Sequence, residues 1–184
     1  MHVFLCGPIK IGKSTVIQKV INELKLETSI CLGGFVTHPG LGSDRDIYIS
    51  PAWEDEEYES KNRVANRGLM LPTSFPEVFN HMGTSILQRK SSRNLICMDE
   101  LGFLEEKAFD FQNAVLRLLD ENIPILGVVK EVHVPWLESV KTHPSVKLIN
   151  ISLDNRNAIV KNIVNILKPS VIKKNIVADT NCQT

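Results

Sequence analysis

A chain of 184 residues has room for one α/β domain with a full sheet-and-helix core, or for one such domain with a small appendage. Lys plus Arg and Asp plus Glu both total 21, so no net positive charge favours sequence-blind nucleic-acid binding, and no nucleic-acid partner is expected. No apolar run reaches membrane-span length and no signal-peptide pattern opens the chain, so membrane association is not expected. Cys6, Cys31, Cys97 and Cys182 form no C-x-x-C pair, and no histidines stand near them at zinc spacing. Reduced thiols fit a cytoplasmic protein.

The first apolar run, His2 to Cys6, reads as a buried strand. From Lys13 to about Leu26, Val16, Ile17, Val20, Ile21 and Leu24 recur on one helical face. A second strand is expected over Ile30 to Thr37. Gly33-Gly34 interrupts it, which signals a bulge or a close backbone approach. Residues 38–72 read as an irregular hairpin and loop insertion, with Ile47 to Ile49 a short strand. That segment carries an acidic patch, Glu54 to Glu59, and then Lys61, Arg63 and Arg67. A solvated loop and a lid over a substrate both fit it. Ser74-Phe75-Pro76-Glu77 has the form of a capping box, predicting a helix to about Lys90.

From there the alternation is regular. Strands are expected at Asn94–Met98, Pro124–Val129 and Val146–Ile151, with helices at Glu105–Asp120, Trp136–Lys141 and Asp154–Leu167. Lys168-Pro169 marks a helix stop, so 1–168 reads as the domain and 169–184 as a C-terminal tail. Strands spaced by amphipathic helices imply an α/β fold of three layers around a mostly parallel sheet.

The residues with the sharpest chemistry stand between the first strand and the first helix. Gly7-Pro8-Ile9-Lys10-Ile11-Gly12-Lys13-Ser14 matches G-x-x-x-x-G-K-[ST] in full. Its glycines let the backbone turn tightly. Its amides and the helix start then form an anion cradle for the phosphates of a nucleotide. Lys13 is expected to reach the β- and γ-phosphates, Ser14 to ligate Mg²⁺, and Thr15 to touch the α-phosphate. Leu95 to Met98 followed by Asp99 supplies the acid that such a site needs beside its magnesium. Glu100 suits a general base aimed at water, or else a pair with a nearby Lys or Arg. Glu105 is explained by the positive end of a helix. Arg156 fits a guanidinium stacked on a base, or a surface arginine. No Asn-Lys-x-Asp run marks a guanine-specific site, and no sequence feature sets an oligomeric state.

From His2 to about Leu167 the chain resembles the cancer-related or thermophile-type nucleoside-triphosphatases, small single-domain P-loop proteins. The resemblance rests on Val3 to Thr15, on Gly34-Phe35-Val36-Thr37, on Asp99-Glu100-Leu101-Gly102-Phe103-Leu104-Glu105 and on Asn155-Arg156. It implies Mg²⁺-dependent hydrolysis of nucleoside triphosphates with broad base preference. Glu100 would activate water, and Arg156 would lie near the nucleotide. The chain departs from the family at three places. Lys10 stands near a usual inner glycine, Phe103 replaces a lysine, and His38-Pro39-Gly40 replaces a charged run. Two rival readings keep the same fold: a phosphotransferase acting on a small acceptor, and a nucleotide-gated adaptor. No arginine is fixed as a charge donor to the γ-phosphate, and Arg63 and Arg67 are the candidates.

Overall fold

The computed structural model describes residues 1–41, 46–67, 72–89 and 92–181. In chain order the elements are β1 (His2–Cys6), α1 (Lys13–Glu27), β2 (Leu32–Pro39), β3 (Asp46–Pro51), β4 (Arg63–Arg67) and β5 (Pro72–Ser74). There follow α2 (Pro76–Val78), a π-helical turn (Phe79–Gly83), α3 (Thr84–Gln88), β6 (Leu95–Leu101) and α4 (Phe109–Leu119). The chain then forms β7 (Ile125–Val129), α5 (Pro135–Lys141), β8 (Val146–Asn150) and α6 (Ile159–Asn181).

One sheet runs β5-β4-β3-β2-β6-β7-β1-β8. Its β2-β6-β7-β1-β8 part is parallel. This part is the α/β core that the strand–helix alternation predicts. The remainder, β3 to β5, is an antiparallel extension on the β2 side. Within the segment expected as an irregular hairpin and loop insertion, 46–51 and 63–67 are strands of this extension. Ile47 and Ile49 are buried in β3, and Val64 and Ala65 in β4. The apolar positions were too few and too scattered to show this ladder in the sequence.

Two apolar layers sandwich the sheet. Val16, Ile17, Val20, Ile21 and Leu24 of α1 pack with Ile163, Val164 and Leu167 of α6 over Val3 and Leu5. On the other face Phe4, Phe35, Phe79 and Phe111 are fully buried among the helices α2 to α5. The Phe35 and Phe111 rings meet edge to face at 5.3 Å. Each such side chain contributes about 1.5–3 kcal/mol by leaving water. Gly34 is the close approach expected from the sequence. Its φ is 91°, and a Cβ there would stand 1.9 Å from the Cys97 carbonyl oxygen.

Four helix ends differ from expectation. Ser74 ends β5, and Pro76 opens α2 with no side-chain cap, so the four-residue pattern is not a capping box here. Its expected end, Lys90, lies outside the described residues. Residues 103–107 form turns, and the helix expected from Glu105 begins at Phe109, because Glu105 is drawn inward. Turns also occupy 153–158, so the last helix starts at Ile159 rather than Asp154. It does not stop at Lys168-Pro169 but continues through Pro169. Val171, beyond that proline, is fully buried in the α1–α6 core, and this burial outweighs the lost backbone donor.

Candidate active site

The C-terminal ends of the parallel strands open into a cleft of about 890 Å³. This is the edge where open α/β sheets place their ligands. Its floor is Gly7 to Lys10 and Gly12 to Thr15. Its walls come from Thr37 to Pro39, Asp99 and Glu100, Gly102 to Glu105, and Lys130 to Val132. The loop turns through left-handed backbone at Lys10 (φ 63°) and Gly12 (φ 99°), with Gly7 at φ 147°. At Gly7 a Cβ would come within 2.7 Å of the Ile151 carbonyl oxygen, so only glycine fits. Lys10 holds its left-handed backbone without being glycine, at a cost of about 1–2 kcal/mol. Its side chain is exposed. Alternation of this kind turns successive amides to one side and makes an anion nest.

The first helix strengthens that nest. Gly12 stands at its N-cap, no side chain caps it, and no acid occupies its first turn. Its leading amides therefore remain for an anion. Lys13 is buried in the loop and its ammonium donates to the carbonyls of Gly7 at 2.8 Å and Pro8 at 2.9 Å. Ser14 and Thr15 are exposed to the cleft.

Asp99 lies near the end of β6, which is separated from β1 by β7. Its carboxyl is 8% exposed. Burial pushes it up to about 6, a hydrogen bond from Ser14 pulls it down, and Glu100 and Lys13 act as smaller opposing charges. The two residues proposed from sequence to flank a metal thus meet in space. Thr37 holds the segment between them and Glu100. Its hydroxyl donates to the Asp99 carbonyl at 3.3 Å and accepts from the Glu100 N–H at 3.2 Å. The sequence pointed to the Gly-Phe-Val-Thr run but not to this grip. It follows from register, because Val36 pairs with Asp99 and so sets Thr37 beside Glu100.

Glu100 is paired as well as exposed to the cleft: its carboxylate lies 2.8 Å from the Lys130 ammonium. Glu105 is the residue whose setting the sequence missed. It is 2% exposed, lines the cleft, and accepts from the Gly102 N–H at 2.8 Å. Burial raises its carboxyl to about 7 against the hydrogen bonds it accepts. The helix-end explanation fails, because α4 begins four residues later. The Gln112 side chain, donating to the Glu105 and Glu106 carbonyls, ties this turn to that helix.

Arg156 stands behind the loop, donating to the Ile11 carbonyl at 3.4 Å. Asn155 shapes the turn that brings it there, accepting from the Ser152 N–H and donating to the Asn150 carbonyl, both at 2.9 Å. Arg63 is committed elsewhere. It pairs with Asp46 at 2.8 Å and lies over the Phe75 ring in the antiparallel extension. Arg67 ends β4, and its side chain lies outside the described residues. No arginine is among the described residues lining the cleft.

The model of the NTPase family matches residues 2–164. The chain belongs to the NTPase family. It is 23% identical over 181 residues to the nucleoside-triphosphatase THEP1 of Thermotoga maritima, covering 91% of this chain and 96% of that one. It is 27% identical over 191 residues to the mouse cancer-related nucleoside-triphosphatase homolog, covering 92% and 97%. The crystal structure of THEP1 from Aquifex aeolicus has the same fold, with a TM-score of 0.72 at 20% identity over 91% of this chain and 99% of that one. The solution structure of a human cancer-related nucleoside triphosphatase follows at 0.66 and 22%, covering 92% and 98%. The resemblance read from four short stretches thus extends along nearly the whole chain.

Proposed function

We propose that this NTPase-family chain hydrolyses nucleoside triphosphates to the diphosphate and phosphate, with Mg²⁺ as cofactor and little selection among bases. The observation that carries the reading is the union of an amide nest, a buried lysine and a water-reaching carboxylate in one cleft. Lys13 and the loop amides oppose negative charge on the β- and γ-phosphates. Glu100 holds a water against the γ-phosphorus and takes its proton as the new P–O bond forms and the bond to the leaving diphosphate breaks. Thr37 keeps Glu100 at that post from behind. Arg156, placed against the loop from outside, steadies it near the nucleotide.

Magnesium suits the donors present. Among the described residues no three His, Cys, Asp or Glu side chains gather into a cage. Mg²⁺ asks for none, because it keeps several waters and takes one or two protein oxygens plus phosphate oxygens. The Ser14 hydroxyl and the Asp99 carboxylate, the latter through water, would hold it. When bound, the ion neutralises charge on the phosphate oxygens. Among the described residues no helix is long and apolar enough to cross a membrane. The free Cys6, Cys31 and Cys97 suit a reducing compartment such as the cytoplasm.

One observation favours the phosphotransferase reading as second choice. Beyond the loop the cleft lining includes Pro39, Ile47, Phe103, Leu104 and Val132, apolar residues suited to an organic acceptor. Incubation with γ-labelled ATP and a panel of nucleosides and monophosphates separates the two. Label released as inorganic phosphate, with or without the panel, supports hydrolysis. Label moved onto an acceptor, with little phosphate formed, overturns it. Glu100→Gln should lower kcat by about 10²–10⁴-fold at nearly unchanged nucleotide affinity, and a rate within tenfold of wild type removes Glu100 from its role.

A further inference from the structure

Among the described residues the cleft walls carry Asp99, Glu100, Glu105 and Glu131 around a loop built for a polyanion. Lys10 and Lys13 line the cleft within the loop itself, and no described arginine lines it. Lys130 does line it, one residue past the end of β7. We propose that Lys130 is a positioning residue of the reaction: it fixes the Glu100 carboxylate for water. The proposal rests on the reading of Glu100 as the water-orienting group.

The seating of Lys130 is what distinguishes it from an ordinary surface lysine. Its backbone N–H donates to the Leu101 carbonyl at 2.9 Å, carrying the β6–β7 pairing past the irregularity that begins at Met98. The stem then crosses Gly102, where a Cβ would stand 2.9 Å from Lys130 Cδ. The ammonium ends 5.0 Å from the centre of the Phe103 ring and 2.8 Å from Glu100 Oε1. Lys130 and Glu100 are 21% and 29% exposed, so water screens the pair only partly.

Each contact removes a freedom. An exposed pair of long side chains gives back most of its attraction as rotamer entropy. Here the backbone bond, the close glycine and the aromatic ring hold the lysine before it meets the glutamate. Glu100 in turn has its backbone held by Thr37 and its carboxylate held by Lys130. A group fixed at both ends presents one geometry to a water, which is where orientation lowers a barrier. The ammonium keeps two further donors beyond the one aimed at Glu100. Gly102 and Phe103 thereby acquire a role that the sequence alone did not suggest.

The test is a double-mutant cycle on the full chain, with steady-state kinetics, nucleotide affinity and melting temperature for each variant. Lys130→Met should lower kcat by about 10–100-fold while KM stays within about twofold, because it disorders a base worth about 10²–10⁴. Lys130→Arg should recover most of the loss. In the Glu100→Gln background Lys130→Met should change kcat by less than twofold, since its effect passes through Glu100. Gly102→Ala tests the seating without altering charge, and should lower kcat in the same direction as it displaces the lysine stem. It also decides the matter if Lys130→Met does not fold. The proposal is overturned by a Lys130→Met variant with wild-type kcat, by a Lys130→Met loss as large in the Glu100→Gln background as in wild type, or, should Lys130→Met not fold, by Gly102→Ala with unchanged kcat. Wild-type turnover in Glu100→Gln itself is a different failure, that of the Glu100 reading.

Discussion

Glu105→Gln isolates the buried carboxyl of the cleft, and its effect on stability is set by pH. The folded protein raises this group from 4.5 to about 7, chiefly by burying it. Between those values the folded state binds more protons here than the unfolded state does. Stability must therefore fall as pH rises through the window, and level off above about 7. Below 4.5 both states are protonated and the group contributes nothing. At about 1.4 kcal/mol per unit, the ionised carboxylate costs the fold about 3 kcal/mol at pH 8. Glutamine keeps an oxygen to accept from the Gly102 N–H and has no charge to bury. Urea unfolding of wild type and Glu105→Gln at intervals from pH 4.5 to 8 measures the difference directly. The variant should gain about 3 kcal/mol on wild type across that range, while Asp99, present in both, cancels. A stability difference that stays flat from pH 5 to 8 refutes the burial argument.

Gly34→Ala should lower the melting temperature sharply, by a few kcal/mol of stability, because its Cβ has only the Cys97 backbone to meet. A melting temperature within a degree or two of wild type would contradict the close approach. Arg156→Ala should weaken triphosphate binding by a few fold and leave kcat nearly intact, as measured by titration calorimetry beside turnover. A collapse of kcat at unchanged affinity would place Arg156 elsewhere in the mechanism. Intrinsic turnover should be slow, at about 10⁻⁴–10⁻³ s⁻¹, as in P-loop proteins that lack an arginine at the γ-phosphate. Phosphate release at tens per second would mean that a stronger cation serves the γ-phosphate than those described here.

The features legible in the chain alone obey local rules. The phosphate loop is contiguous, so its residue types state their chemistry without help from the fold. The α1 face and the buried β1 announce themselves by period, and Asp99 by its place after four apolar residues. Positions set by long-range register were hidden. Thr37 reaches Glu100 only because β2 pairs with β6, and Lys130 reaches it only because β7 lies alongside. Glu105 at the start of an apparent helix looked like a dipole partner. Its inward turn depends on the Gly102 amide and on Gln112 beyond it. Pro169 misled for a related reason, since a helix stop is a local signal and the burial of Val171 is not. The antiparallel strands β3 to β5 combine both problems, being short and stabilised by pairing.

All of these roles depend on a triphosphate occupying the amide nest with Lys13 over its terminal phosphates. Equilibrium binding of a slowly hydrolysed ATP analogue, with Mg²⁺ and with excess chelator, to wild type and Lys13→Ala puts that occupancy to the test. Wild type should bind more tightly with the metal than without it, and Lys13→Ala should lose at least tenfold in affinity under both conditions. Equal affinity in the two proteins, or no measurable binding by wild type in the presence of Mg²⁺, would mean that the loop is not a phosphate site.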